Sequence, residues 1–336
     1  MSPNQKIMAY AADTVGRRFY TMHFKDLNTG KVLPDTIENI NANLVWAADN
    51  ETVFYSEQNP ETLRTEKIYR YSLKTHKKEL VYFEKDETFS VFLYKSLSRK
   101  FIYIGAHSTL TSETMYIPVD KPFEKFKVFT PRHREHEYTV TDGGDKFYII
   151  TNKNAKNYKV MTAEIGHTDI KDWKELVPHR SDVYLQDVTV FKNHIAIEER
   201  RNGLTEIQIT DRNGKNPFYI PFTDQSFLAG VGDNREFDSE WLRFNFESMR
   251  RPPSIYDINM NSHEQVLKKT HEVPNYNPEL YKTERIFITV RDSTKVPVSL
   301  LMKKDFQPSS KAPMLIYGYG SYGVNMDPWF SSDIFS

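Results

Sequence analysis

The residues best equipped for chemistry stand near the end of this sequence, in Pro313-Met314-Leu315-Ile316-Tyr317-Gly318-Tyr319-Gly320-Ser321-Tyr322-Gly323. A short apolar run of strand formers passes there into a loop whose glycines let the backbone approach a ligand closely. Gly318, Gly320 and Gly323 have the G-x-G-x-x-G spacing of a dinucleotide site. That chemistry needs a helix opening on the loop and an acidic residue about 20 positions on to hold a ribose. Neither is present, since Val324-Asn325-Met326-Asp327-Pro328-Trp329-Phe330 does not open a helix. Ser321 is no nucleophile-elbow serine either, because G-x-S-x-G requires glycine where Tyr319 stands.

Two other clusters have reactive residue types. Arg132-His133-Arg134-Glu135-His136-Glu137-Tyr138 sets two histidines three apart beside carboxylates, which on a helix would be half of a metal site. Pro131 precedes it and Tyr138-Thr139-Val140 reads as a strand, in which positions three apart face opposite sides, so an edge cluster is expected and no metal. Asp13 with Arg17 and Arg18, and Glu198-Glu199-Arg200-Arg201, gather both signs of charge near turns. Such groups are solvated, line a channel or pair across to a second domain, and the spacing does not choose. The 10 histidines and many serines assemble no Ser/His/Asp set.

What would position these residues is β structure. Tyr, Phe and β-branched residues recur in short runs separated by polar turns, among them Ile7–Ala11, Phe19–Phe24, Val53–Ser56, Phe101–Ile104, Phe147–Thr151, Ile195–Glu199 and Ser254–Ile258. A strand, an Asp/Ser-x-x-Thr/Asn/Gly turn and a second strand recur at Asp26-Leu27-Asn28-Thr29-Gly30, Ser72-Leu73-Lys74-Thr75, Asp211-Arg212-Asn213-Gly214 and Asp257-Ile258-Asn259. The interval is about 46 residues over roughly six copies, the signature of four-stranded propeller blades. A mainly β fold is therefore expected: a β-propeller of about six blades over residues 1–270, followed from 271 by a Pro/Asn-rich linker. Beyond the linker, 284–290 and 296–302 read as a hairpin, and Met314–Tyr317 as the opening strand of an α/β-sheet.

The bulk numbers bound the partners. Forty-five basic and 45 acidic residues give a net charge of zero, with no footprint for nucleic acid or an anionic membrane. The absence of cysteine excludes disulfides and thiolate chemistry and fits a reducing, cytoplasmic setting, with the periplasm as the alternative. No apolar run approaches the roughly 18 residues of a membrane span.

The chain resembles the oligopeptidase B branch of the prolyl oligopeptidase family of serine peptidases. Asp13-Thr14-Val15-Gly16-Arg17-Arg18, Glu84-Lys85-Asp86, Pro131-Arg132 with His136-Glu137-Tyr138, and Glu198 through Leu204 bear the resemblance in the right order. Arg291-Asp292 with Lys295 through Leu300 add to it, and Tyr317-Gly318-Tyr319-Gly320-Ser321-Tyr322-Gly323 is its most specific segment. The resemblance implies a seven-bladed propeller capping an α/β-hydrolase domain and filtering substrates by size. It implies a Ser–Asp–His triad that cuts short peptides after Lys or Arg, without a cofactor. By the same resemblance, Tyr319 donates its hydroxyl into the oxyanion hole and Tyr322 lies near the substrate pocket. The triad and the pocket carboxylates that recognise the basic side chain are expected after residue 336, and the first blade before residue 1, so the chain is expected to be inactive alone. Ser293 stands where the family has glycine in a tight turn. The competing readings are a non-catalytic propeller that binds a partner, and a proline-specific relative.

Overall fold

Aromatic and β-branched residues alternating with turn residues leave the backbone one economical solution, the antiparallel meander. The structure, a computed structural model, describes residues 1–335. Its first sheet runs β1 (Ile7–Ala12), β2 (Tyr20–Asp26), β3 (Val32–Trp46), β4 (Thr52–Gln58), β5 (Thr65–Ser72) and β6 (Lys77–Phe83), in that spatial order. The second holds β7 (Ser90–Lys95), β8 (Phe101–His107), β9 (Ser112–Pro118) and β10 (Lys127–Val128). The third holds β11 (Tyr138–Asp142), β12 (Lys146–Thr151), β13 (Lys159–Glu164) and β14 (Lys174–Val177). The fourth is β15 (Val183–Val190), β16 (His194–Arg201), β17 (Leu204–Asp211) and β18 (Phe218–Tyr219). The fifth is β19 (Leu228–Val231), β20 (Trp241–Glu247), β21 (Ser254–Asn259) and β22 (Gln265–Thr270), and a hairpin of β23 (Tyr281–Thr289) and β24 (Lys295–Lys303) comes after it.

The expected repeat is visible in the first strands of sheets two to five, which begin at Ser90, Tyr138, Val183 and Leu228. The first sheet departs from it. The N-terminal half of β3 pairs with β2, Met22 opposite Ile37, and its C-terminal half pairs with β4, Trp46 opposite Val53. One 15-residue strand thus joins an incomplete unit, β1 and β2, to a complete one.

The chain packs as two compact units, Met1–Pro178 and the residues from His179 onward. In the first, successive sheets bury their faces against each other, as stacked blades do. Val45, Phe54 and Ile68 of the first sheet meet Val91, Leu93, Ile102, Ile104 and Met115 of the second. On the other side of the second sheet, Phe101, Tyr103 and Tyr116 meet Val140, Phe147 and Ile149 of the third. In the second unit the buried side chains include Ile195, Ile197, Ile207, Ile209, Leu242, Phe244 and Ile258. No helix among the described residues is long and apolar enough to cross a membrane.

Met314–Tyr317 is not a strand in this structure. Its residues are the right ones, but it pairs with no strand among the described residues, and an extended run without ladder partners is not a strand. The hairpin is as expected, with Thr289 opposite Lys295 and Ser293 at its tip in the left-handed region, φ 70°. Serine thus takes the left-handed conformation that favours glycine. Asp292 supports the turn by accepting from the Thr294 N–H at 3.0 Å.

Candidate functional site

The glycine-rich stretch is open to solvent. Tyr319 is 54 % exposed and Tyr322 96 % exposed, the latter with a left-handed backbone, φ 56°. The residues C-terminal to it are anchored. Asp327 takes a bidentate ion pair from Arg200, 2.5 Å to Oδ1 and 3.0 Å to Oδ2, and the Phe330 N–H donates to Glu247 at 2.8 Å. Phe330 and Phe335 close on Tyr276 and Tyr281 in a ring cluster with Phe335 centred 4.6 Å from each tyrosine. Tyr319 and Tyr322 therefore belong to a loop that leads into a fixed point on the second unit.

Period two along β16 divides Glu198-Glu199-Arg200-Arg201 between two faces of its sheet. Glu199 is fully buried on one face, accepting from the Arg180 guanidinium and, at 2.8 Å, from the Tyr219 hydroxyl. Arg201 joins them by donating to the Tyr219 oxygen at 2.5 Å. Glu198 and Arg200 lie on the other face and line a cavity of about 680 Å³ in the second unit, with Asp327 at its margin. The charge run that reads as one cluster in sequence is thus a structural ion group on one side and a cavity wall on the other.

A β-bulge completes that wall. The pairing of β15 with β16 shifts between Leu185 and Asp187, so that Leu185 opposes Glu199 and Asp187 already opposes Glu198. Gln186 is the extra residue, and it and Asp187 both reach solvent between the buried Leu185 and Val188. A bulge re-aims side chains in this way. Asp187 and Glu198 are adjacent across the ladder, and neither has a basic partner among the described residues. Asp187 accepts only from its neighbour's N–H, Val188, at 2.7 Å, and Glu198 accepts from the backbone N–H of Val231. Crowding by surrounding protein and then the charge of Asp187 push the Glu198 carboxyl up to about 7. The same crowding raises Asp187 above the ordinary aspartate range. Gly230 makes room, since a Cβ there would stand 3.3 Å from Glu198 Oε2.

The hairpin is tied to the same region. Arg285 donates to the Asn202 carbonyl at 2.6 Å and to Ser299 Oγ at 2.8 Å. Asn202 and Gly203 form the two-residue turn between β16 and β17, φ 50° and 76°, the geometry that Asn-Gly favours. Gly203 also leaves room for its neighbours, because a Cβ there would lie 2.6 Å from the Arg285 guanidinium and 3.2 Å from Pro297 Cγ, and Arg285 would have to shift.

The remaining sequence candidates are structural. His133 and His136 lie in a turn before β11, not in a strand, with Glu135 at φ 62°. His136 is buried, its Nε2 paired with Thr151 Oγ1 at 2.9 Å and its ring against Tyr138. Burial, then Lys153 and His133, hold its pKa down to about 4, a neutral core histidine. Arg132 bridges Glu84 and Glu113, 2.8 Å to each. Asp13 spends its carboxylate on the N–H groups of Val15, Gly16 and Arg18 in its own loop.

Sequence reasoning missed Asp187, because it took no strand over 183–190. A signal was present: Val183 and Leu185 alternate in one phase, Val188 and Val190 in the other, and the slip between them is the bulge. Nothing local marked Asp327, whose partner is 127 residues away.

Residues 1–271 match the family description "Prolyl oligopeptidase, N-terminal beta-propeller domain". Among curated relatives, the chain is 39 % identical over 335 residues to dipeptidyl aminopeptidase BI of Pseudoxanthomonas mexicana, covering 98 % of this chain and 46 % of that protein. It is 29 % identical to protease 2 of Moraxella lacunata, covering 98 % and 48 %. Among solved structures, oligopeptidase B from Leishmania major superposes with a TM-score of 0.89 at 29 % identity, covering 98 % of this chain and 48 % of that one. The chain spans about half the length of the curated relatives it matches. With a propeller-domain match over most of its length and sheets in the expected meander order, the chain belongs to the prolyl oligopeptidase family of peptidases.

Proposed function

We propose that this chain is the propeller and the initial catalytic-domain portion of a serine oligopeptidase that cleaves short peptides after Lys or Arg. Residues 1–270 form the propeller that limits substrate size, and 271–336 form the connector and the start of an α/β-hydrolase domain. Tyr319 supplies an oxyanion-hole hydroxyl, Tyr322 lies beside the substrate, and the enzyme works in the cytoplasm. The observation that carries this reading is the likeness to oligopeptidase B over nearly the whole chain, with the Tyr-Gly-Tyr-Gly segment in place. The nucleophile, its base and its orienting carboxylate are expected outside the 336 residues. The chain alone is then inactive on arginyl and lysyl amides, and turnover that persists through removal of host peptidases overturns that. In a chain extended through a nucleophile elbow, Tyr319→Phe lowers kcat by about 10²–10³-fold with KM little changed.

A second reading is favoured by the 39 % identity to a dipeptidyl aminopeptidase: removal of dipeptides from free N-termini. Paired substrates with free and acetylated N-termini separate the two, since only an aminopeptidase discriminates against the blocked one.

A further inference from the structure

The loop that holds Tyr319 has little to fix it from within. Gly318, Gly320 and Gly323 lack the side chains that would restrict it, and no heavy atom of the described residues lies within 4 Å of where their Cβ atoms would stand. On its N-terminal side, Met314 to Tyr317 pair with no strand among the described residues. A hydroxyl that donates to one developing charge needs a fixed place, since a misplacement of about 1 Å costs up to about 10²-fold in rate. That place has to come from contacts at the ends of the loop.

At the neck, the Tyr317 ring meets Trp329 edge-on with centroids 6.3 Å apart, so the two ends of the loop lie together as in an Ω-loop. Inside it, the Ser321 carbonyl accepts from the Val324 N–H at 3.1 Å across Tyr322 and Gly323. Their positive φ values, 56° and 68°, are the left-handed pair of a type I′ turn, which takes up slack. Asp327 follows Gly323 by four residues, a tether of at most about 14 Å. There the loop meets the sheets. Arg200 of β16 grips both Asp327 carboxylate oxygens, and with side chains only 12 % and 21 % exposed the pair is little screened by solvent. Arg200 is itself set by donating to the Gly203 carbonyl at 3.0 Å. Arg285 is near enough to feel both charges but donates elsewhere, to Asn202 and Ser299, which leaves Arg200 to bind Asp327. Three residues on, Glu247 of β20 accepts from the Phe330 N–H at 2.8 Å, a second anchor on a different sheet.

We propose that Arg200 and Glu247 are positioning residues for Tyr319: by fixing the exit of its loop to the fourth and fifth sheets, they set where its hydroxyl stands. The role rests on the reading of Tyr319 as an oxyanion donor. Neither residue is asked to touch substrate. A loosened clamp misplaces a donor that acts in the transition state, so kcat falls by more than KM rises. Lysine is a poor substitute for Arg200, because one ammonium does not grip both oxygens in a plane as a guanidinium does.

Hydrogen exchange over residues 318–330 of the 336-residue chain reads the clamp directly. Arg200→Gln is expected to speed exchange at the Val324, Trp329 and Phe330 amides about tenfold or more, Arg200→Lys by less, and Glu247→Gln chiefly at Phe330. Asp327→Asn breaks the same pair from the loop side without touching β16, so the comparison survives if an Arg200 variant fails to fold. Lys192→Gln removes a charge from an exposed pair with Asp238 and is expected to leave the loop unchanged. In a chain extended through a nucleophile elbow, Arg200→Gln or Asp327→Asn is expected to lower kcat about 10–10²-fold with a smaller change in KM. Added to Tyr319→Phe, the same substitutions are expected to have little further effect, because the donor they position is already gone. A merely structural pair would cost as much with the hydroxyl as without it. Unchanged exchange in both Arg200→Gln and Asp327→Asn, or kcat losses that simply multiply, overturns the positioning role. Undiminished kcat in Tyr319→Phe overturns the oxyanion reading and the positioning role with it, whereas a diminished one beside an unaltered kcat in Arg200→Gln overturns the positioning role alone.

Discussion

Ile102-Tyr103-Ile104 in β8 and Leu315-Ile316-Tyr317 near the end of the chain each combine two branched aliphatic residues with one tyrosine, in different circumstances. The first has ladder partners on both sides, β7 and β9, and its three residues are fully buried. The second has none among the described residues, and Leu315 is 85 % exposed. The residues are equally suited to a strand. What makes a strand, then, is two satisfied rows of backbone N–H and C=O groups, with burial arising from the pairing.

Truncating one side chain in each place tests this most directly. Ile104→Ala is expected to cost about 2–5 kcal/mol in urea unfolding, from lost burial and the cavity left behind. Ile316→Ala is expected to change stability by no more than about 0.5 kcal/mol. Equal losses would mean that the terminal stretch is packed in solution. Gly203→Ala comes next: it places a Cβ at positive φ and against the Arg285 guanidinium, for an expected loss of about 1–3 kcal/mol. Its unfolding midpoint should fall together with faster proteolysis in the β23–β24 hairpin.

The two compact units also differ in their response to pH. Buried, neutral His136 has a folded-state pKa near 4, below the ordinary 6.5, so the folded first unit binds fewer protons than the unfolded one. Its contribution is lost as pH falls from 6.5 toward 4. Glu198 has the opposite sign, raised from 4.5 to about 7, so the folded second unit binds more protons and gains stability as pH falls from 7 toward 4.5. Site-resolved hydrogen exchange at pH 5 and pH 7 should find the slopes opposed, and Glu198→Gln should remove the second. A gain is expected at the hairpin tip, where Ser293→Gly relieves a left-handed serine by about 1 kcal/mol, read as a higher midpoint in urea.

The central strands of each sheet were legible because they are covered on both faces. Phe101–Ile104 and Ile195-Ala196-Ile197 show as continuous apolar runs, and the structure places them inside β8 and β16. The flanking strands were not. β22, Gln-Val-Leu-Lys-Lys-Thr, is largely exposed and has the composition of a surface loop, and β10 is only two residues long. Their strand character comes from the neighbour that offers a ladder, which no local pattern records. The candidate site divided in the same way. Glu198 through Arg201 stood out as charges, but their assignment to opposite faces, the approach of Asp187 and the clamp on Asp327 depend on register and on chain far away in sequence.

Sequence alone was enough for the mainly β character, the repeat, the hairpin after the repeat and the family resemblance, since all of these rest on local composition and on order along the chain. Tertiary structure settled which of four consecutive charges faces a cavity, that a one-residue bulge brings a second carboxylate beside the first, and that the Tyr-Gly-Tyr-Gly stretch stands open. The physical reason is common to all three: pairing register and ladder partners are set by contacts across the chain, and a slip of one residue reverses the face on which every later side chain stands.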